Sequence, residues 1–377
     1  MQLSKCREYS LPLITGVILA LFLSNIAPEF YTLLVFETIP GTSKINMNFL
    51  VNNIFMVFFF GLAGIEITKN LSKGGVLNPA GKAATPLMAT AGGVLCPILV
   101  FNILNNLIGS SEFSNGWGIP TATDVALSYL VARAIFGKSH PAVGFLLLLA
   151  VADDGIGMFI ITVFYSDSQM QTEPLSLIAV AFAVITAYVM KKRKVQNIWL
   201  YILLPGHIAW LGLYNASLNP ALALIFISPF IPSSVLRSRK NRRIPASEEY
   251  IRKFGPLIDY GLFFFGLANA GVRLSETSNL TLVIFLSLFI GKAAGITLFS
   301  YIAYLSGFSL PGGMQWKEVF IIGLTAGMGL TVALYVAGCA YTVPSITAAA
   351  KMGALCSVMS APIAIILSRI LNIRKIQ

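Results

Sequence analysis

Stretches of about twenty apolar residues recur along the whole chain, and that recurrence constrains it more than any other feature. A helix needs about 20 apolar residues to cross the ~30 Å hydrocarbon core of a bilayer. Twelve such segments start near residues 11, 48, 84, 118, 142, 174, 197, 219, 255, 281, 317 and 347. Of the 377 residues, 56% are hydrophobic and 11% are charged. A soluble domain is about a quarter charged. The chain therefore reads as an all-α polytopic membrane protein with about 12 transmembrane helices. A soluble globule, a disordered chain and a disulfide-stapled module are excluded. Cys6, Cys96, Cys339 and Cys356 are scattered, without metal-like spacing. No small-residue cleavage site follows the first apolar segment, so it reads as a span rather than a leader.

The net charge of +11 then has a topological meaning. With the N-terminus cytoplasmic, nearly all of the 26 Lys and Arg fall on the inside of a twelve-span chain. Only Lys44, Arg273 and Lys351 fall outside, and Lys292 lies within a span. Both termini are thus expected in the cytoplasm, with lipid as the surrounding partner and no nucleic acid. The basic connection 233–253 is the longest cytoplasmic loop and the natural seam between halves.

Four ionisable groups fall inside the spans: Asp124 in segment 4, Asp153 and Asp154 in segment 5, and Lys292 in segment 10. Each costs roughly 2.5–3.5 kcal/mol at mid-helix, so together they cost on the order of 10 kcal/mol. Such a cost points to function. Asp153 and Lys292 each lie eleven residues into their segments. At 1.5 Å per residue, both sit about half-way across the core. Asp153 and Asp154 are consecutive on a helix and point about 100° apart. One is expected to meet Lys292 and the other to face a cavity. A carboxylate that can hold either a proton or a small cation can exchange one for the other.

Segment 4 does not read as one helix. Pro120 removes a backbone donor, and Thr121, Thr123 and Asp124 suit the N-cap of a helix restarting at Val125. Segment 11 carries Gly323, Gly327 and Gly329 before Thr331, which weakens a helix there or allows close packing. The two breaks fall in the middle of segments 3–5 and 10–12, which run through the membrane in opposite senses. Residues 84–165 and 281–371 therefore read as inverted repeats forming an ion-binding core. Residues 11–67 and 174–273 supply the scaffold and interface. Crossed broken helices bring two N-ends and two C-ends to mid-membrane, where Asp124 would offset the former and Lys292 the latter.

The stretch Gly116-Trp-Gly-Ile-Pro-Thr-Ala-Thr-Asp124-Val-Ala126 resembles the NhaA family of bacterial Na⁺/H⁺ antiporters. So do Leu149-Ala-Val-Ala-Asp153-Asp154-Gly-Ile-Gly157, Phe60-Gly-Leu-Ala-Gly-Ile-Glu66, Leu267-Ala-Asn-Ala-Gly-Val272 and Ile290-Gly-Lys292. The resemblance runs through nearly the whole chain. Interrupted spans in inverted repeats mark transporter binding sites, a pattern drawn in part from NhaA itself and so no independent support. The resemblance implies electrogenic exchange of Na⁺ or Li⁺ for H⁺ by alternating access, in the bacterial inner membrane, by a homodimer and without a cofactor. It assigns Asp154 as the principal cation ligand and Asp153 as the partner of Lys292. Asp124 and Thr123 become broken-helix residues near the site, beside Pro120, Thr121, Gly327, Gly329 and Thr331. Glu66 becomes a carboxylate of the cytoplasmic funnel.

The chain also departs from the family. Asn219 stands where a histidine linked to pH response is expected, and its only histidines, His140 and His207, read as an inside-loop residue and a helix-end residue. Residues after Glu66 are Thr68, Lys69 and Asn70, a thinner charged cluster than the family's. The outside stretch 36–48 is short for a dimer-forming hairpin. Two other functions compete. A sodium-coupled symporter of an organic anion would want an uncompensated cation, whereas three aspartates here face one lysine. An intramembrane aspartyl protease would carry Gly-x-Gly-Asp, whereas this chain has Asp-Asp-Gly-Ile-Gly. No enzyme activity is expected.

Overall fold

The structure is a computed structural model that describes residues 11–42, 45–72, 80–137, 139–165, 176–216, 218–233, 244–373 and 375. The core of the basic connection, residues 234–243, lies outside the described residues. The architecture is helical throughout. That follows from lipid as solvent, because a helix pairs its backbone groups within one segment.

In chain order, α1 is Leu11–Ile26, α2 Pro28–Phe36, α3 Met47–Asn70 and α4 Ala80–Ile108. A 3₁₀ segment, Ser111–Thr121, leads to α5, Val125–Phe136. Next come α6 (Pro141–Phe164), α7 (Ser176–Lys192), α8 (residues 198–215), α9 (Pro220–Phe230) and α10 (Ala246–Asn269). The chain closes with α11 (Asn279–Leu305), α12 (Trp316–Ala326), α13 (Thr331–Ala340) and α14 (Pro344–Ile370). Each expected apolar segment has a helical counterpart. Among the described residues, α3, α4, α6, α11 and α14 are each long and apolar enough to cross a bilayer. Two pairs qualify when joined across a break: Ser111–Thr121 with α5, bent by 55°, and α12 with α13, bent by 50°. The remaining five counterparts are shorter, interrupted or charged at one end.

Several boundaries differ from the sequence reading. α10 starts at Ala246, inside the stretch expected as loop, so Arg252 and Lys253 are helical. Its first turns are polar and escape a hydropathy reading, yet they are held by the Glu249–Lys253 pair at 2.6 Å and by Lys253 over the Trp199 ring. The short α2 was not expected as a separate element; Pro28 at its first position starts it. Lys351, placed outside by the loop assignment, sits within α14. His140, expected in an inside loop, is the buried N-cap of α6.

Among the described residues, the most extensive helix pairing is α4 against α11. Gly92 and Gly295 meet at their crossing, where a Cβ on either would strike the other's carbonyl. Small residues let membrane helices approach in this way. α11 also contains a π turn, Ser287–Gly291, immediately before Lys292. Such turns concentrate at functional sites, since they re-aim the following side chains.

Candidate functional site: the crossing of two broken helices

Both breaks meet at one point. The first chain leaves its 3₁₀ segment at Thr121 and restarts as α5 after Asp124. Asp124 is the N-cap: its Oδ1 accepts the Leu127 N–H at 3.0 Å. Its Oδ2 reaches across to the other break. There it accepts the Thr331 N–H at 3.2 Å and the Thr331 hydroxyl at 3.0 Å. One buried carboxylate thus serves the N-ends of α5 and α13. That placement suits the positive ends of two helix dipoles. The Asp124 N–H in turn donates to the Met328 carbonyl at 2.6 Å.

The C-ends are satisfied differently. Lys292 Nζ donates to the Thr121 carbonyl, where the 3₁₀ segment ends. The end of α12 instead receives hydroxyls from the first break and the start of α5. Thr123 donates to the Ala326 carbonyl at 3.0 Å and Ser128 to the Thr325 carbonyl at 2.8 Å. Ser128 was not singled out from sequence. Its position four residues after Asp124 was the available signal, since that puts both on one face of α5. Ser357 of α14 was missed too; its Oγ accepts the Gly329 N–H at 3.0 Å. Gly329 is required by space: a Cβ would lie 2.9 Å from the Ala122 carbonyl oxygen.

Lys292 makes a second bond. Its Nζ lies 2.5 Å from Asp153 Oδ2, with both side chains fully buried. Asp153 Oδ1, also buried, has no hydrogen-bond partner among the described residues. Thr123 is beside Asp153 but gives its proton to Ala326. A buried acceptor without a donor costs about 1–3 kcal/mol, and more when charged. Asp154 is half-buried, on the adjoining face of α6. It lies within electrostatic reach of Asp153, Asp124, Glu66 and Lys292. Glu66 itself is exposed on α3. The cluster is thus two carboxylates with unused oxygens, a threonine oxygen with free lone pairs, and one lysine. Among the described residues, no group of three or more His, Cys, Asp and Glu forms a metal-binding set. The oxygens here suit a hard cation better than a soft one.

A cavity of about 1640 Å³ lies beyond α13, lined by Asn219, Tyr335, Cys339, Tyr341 and Lys351 among others. None of Asp124, Asp153, Asp154 or Lys292 lines it. The Tyr335 hydroxyl donates to Asn219 Oδ1 at 2.6 Å, and the same oxygen accepts the Ala221 N–H at 3.1 Å. Asn219 therefore caps α9 and ties it to α13.

Comparison with known proteins identifies the family. The family model for Na⁺/H⁺ antiporter 1 matches residues 3–368. A Na⁺/H⁺ antiporter NhaA of Desulfitobacterium hafniense is 48% identical over 376 residues, covering 98% of this chain and 96% of that protein. A Na⁺/H⁺ antiporter NhaA of Geobacter metallireducens is 48% identical over 375 residues, covering 98% of each. In fold, the chain is similar to the sodium proton antiporter MjNhaP1 of Methanocaldococcus jannaschii, with a TM-score of 0.51 and 17% identity over 99% of both chains. These relatives are antiporters, not symporters or enzymes, so the organic-anion and protease readings fall away. The chain belongs to the NhaA family of Na⁺/H⁺ antiporters.

Proposed function

We propose that this chain exchanges Na⁺ or Li⁺ for protons at Asp154 and Asp153, electrogenically and by alternating access. Asp153 Oδ1 carries the argument, as a buried carboxylate oxygen with no donor among the described residues, beside the half-buried Asp154. An ion held between Asp154 and Asp153 Oδ1 would take further oxygen from Thr123. It would replace protons on the same carboxylates, so that ion and proton compete for one place. Competition at one site is what couples the two flows. Lys292 keeps Asp153 compensated when the cation leaves, and Asp124 holds the two N-ends throughout.

In this reading residues 84–165 and 281–371 are inverted repeats that form the core, and residues 11–67 and 174–273 form the scaffold. Twelve spans place both termini in the cytoplasm of a bacterial inner-membrane homodimer. Glu66, on α3 beside α6, lies on the cytoplasmic approach.

The test uses purified protein in liposomes with a trapped pH dye and an acidic interior. NaCl, LiCl or KCl is added outside, between about pH 6.5 and 8.5. Alkalinisation of the interior with Na⁺ or Li⁺ but not K⁺, lost in Asp154→Asn, is the expected result. Undiminished exchange in Asp154→Asn would overturn the site assignment. No response to any cation from folded wild type would overturn the exchange itself.

A further inference from the structure

The chain carries a second lysine within a span. Lys351 stands seven residues after Pro344, about 10 Å along α14 from its start. Lys292 on α11 lies against Asp153. Lys351 has no such counter-charge: among the described residues, no carboxylate forms an ion pair with it. A charged side chain within a span either pairs with another group or faces a water-filled cavity, and it marks ion paths. Lys351 is half-buried and lines the cavity of about 1640 Å³. Its stem reaches the last turn of α13. A Cβ on Gly338 would lie 3.9 Å from Lys351 Cε, and Cys339 is within electrostatic reach.

Three other charged residues line this cavity: Glu112, Arg273 and Glu276. Glu112 is in the first turn of the 3₁₀ segment, and Arg273 and Glu276 belong to the link between α10 and α11. Among the described residues, Lys351 is the one charge on the cavity wall that an α-helix carries into the span. Cavity and ion site also share α13. Its first residue, Thr331, is bonded to Asp124, and Gly338 beside Lys351 comes seven residues later, about 10 Å along the helix. Between them Tyr335 holds Asn219, and both side chains line the cavity at the end nearer the site. In the twelve-span arrangement proposed above this cavity belongs to the outer face, because Arg273 and the starts of α11 and α14 fall outside.

We propose that Lys351 sets the affinity of the outer face for cations: its ammonium lowers the concentration of Na⁺ or Li⁺ at the inner end of the cavity, so that the ion leaves outward easily and rebinds weakly from that side. The inference rests on the exchange and the sidedness proposed above. An ion that leaves the crossing outward passes along α13 and meets this charge. An ion that enters from the cytoplasm passes Glu66 and does not. A unit charge about 10 Å away, screened over a Debye length of about 10 Å, changes the local concentration of a monovalent cation about threefold. The charge alters half-saturation and release on one face and leaves unchanged the equilibrium that the gradients set. Protons are repelled in the same way, so the effect on Na⁺ is clearest in alkaline medium, where protons compete least.

The experiment measures Na⁺-driven exchange in right-side-out and everted vesicles, made from cells with no other Na⁺/H⁺ antiporter. The first give Na⁺ to the outer face and the second to the inner face. Wild type, Lys351→Arg, Lys351→Gln and Lys351→Glu are compared in alkaline medium. At about 0.1 M ionic strength, the ratio of outer-face to inner-face KM should stay unchanged in Lys351→Arg, fall about threefold in Lys351→Gln and fall about tenfold in Lys351→Glu. Choline chloride at about 1 M should bring the four ratios together, which a packing role for the side chain would not do. Equal ratios in Lys351→Arg and Lys351→Gln, or differences that persist in high salt, would overturn the proposal. If Lys351→Glu fails to fold, the comparison of Lys351→Arg with Lys351→Gln decides alone. Absence of Na⁺-driven exchange in the wild type would instead contradict the underlying function.

Discussion

The two breaks at the centre of the molecule have the same shape and opposite chemistry. They bend by 55° and 50°, and each leaves one C-end and one N-end in the interior. The break at residues 122–124 supplies side chains: Thr123 and Asp124, with Ser128 one turn on, all aimed at the other break. The break at residues 327–330 supplies almost only backbone. Its N-cap, Leu330, has no capping side chain, and its polar groups are met from outside by Asp124, Thr123, Ser128 and Ser357. The first break supplies the polar side chains, and the glycines of the second leave room for them to approach.

Four substitutions test that division, and the largest effect should come from the charge pair. Lys292→Met leaves Asp153 buried beside no cation, which should cost about 3–5 kcal/mol. Adding Asp153→Asn should recover most of the loss in thermal unfolding. A Lys292→Met protein as stable as wild type would mean that the ion pair does not hold the first break.

Asp124→Ala comes next. It uncaps α5 and α13 together, at about 0.5–2 kcal/mol for each helix. Hydrogen exchange should show both helix starts loosening. Loosening of α5 alone would separate the two breaks and undo the comparison. Gly329→Ala tests the second break, because the added Cβ meets the Ala122 carbonyl oxygen at 2.9 Å. Overpacking of this kind costs about 1–3 kcal/mol, read as a lower Tm. The smallest effect belongs to Ser128→Ala, which removes the donor to the Thr325 carbonyl and should cost about 1 kcal/mol. A larger loss there than in Asp124→Ala would reverse the order of importance.

The same asymmetry explains what could be read in advance. The first break is written locally: Pro120, the threonines and Asp124 stand together, so proline and capping chemistry reveal it. The second break has only glycines nearby, which equally suit close packing. Its capping carboxylate is 207 residues away in sequence, so no local window contains both. The helical class and the segments were legible because lipid demands long apolar runs. The start of α10 was not, because its first turns are amphipathic and stabilised by Glu249, Lys253 and Trp199. The depth match between Asp153 and Lys292 anticipated a shared site, the family resemblance named Asp153 as the partner of the lysine, and the structure brings the two to 2.5 Å. The contact between His140 and Glu318 was hidden because the two lie on distant segments and each residue alone reads as ordinary.

The central claim is that Na⁺ and protons compete for the same carboxylates, and the most direct measurement needs no membrane gradient. Purified protein in detergent and weak buffer near pH 8 is titrated with NaCl while released protons are counted with an indicator dye. Proton release that saturates with Na⁺, is absent with KCl and is lost in Asp154→Asn is the predicted result. Saturable Na⁺ binding without proton release, or release undiminished in Asp154→Asn, would contradict it.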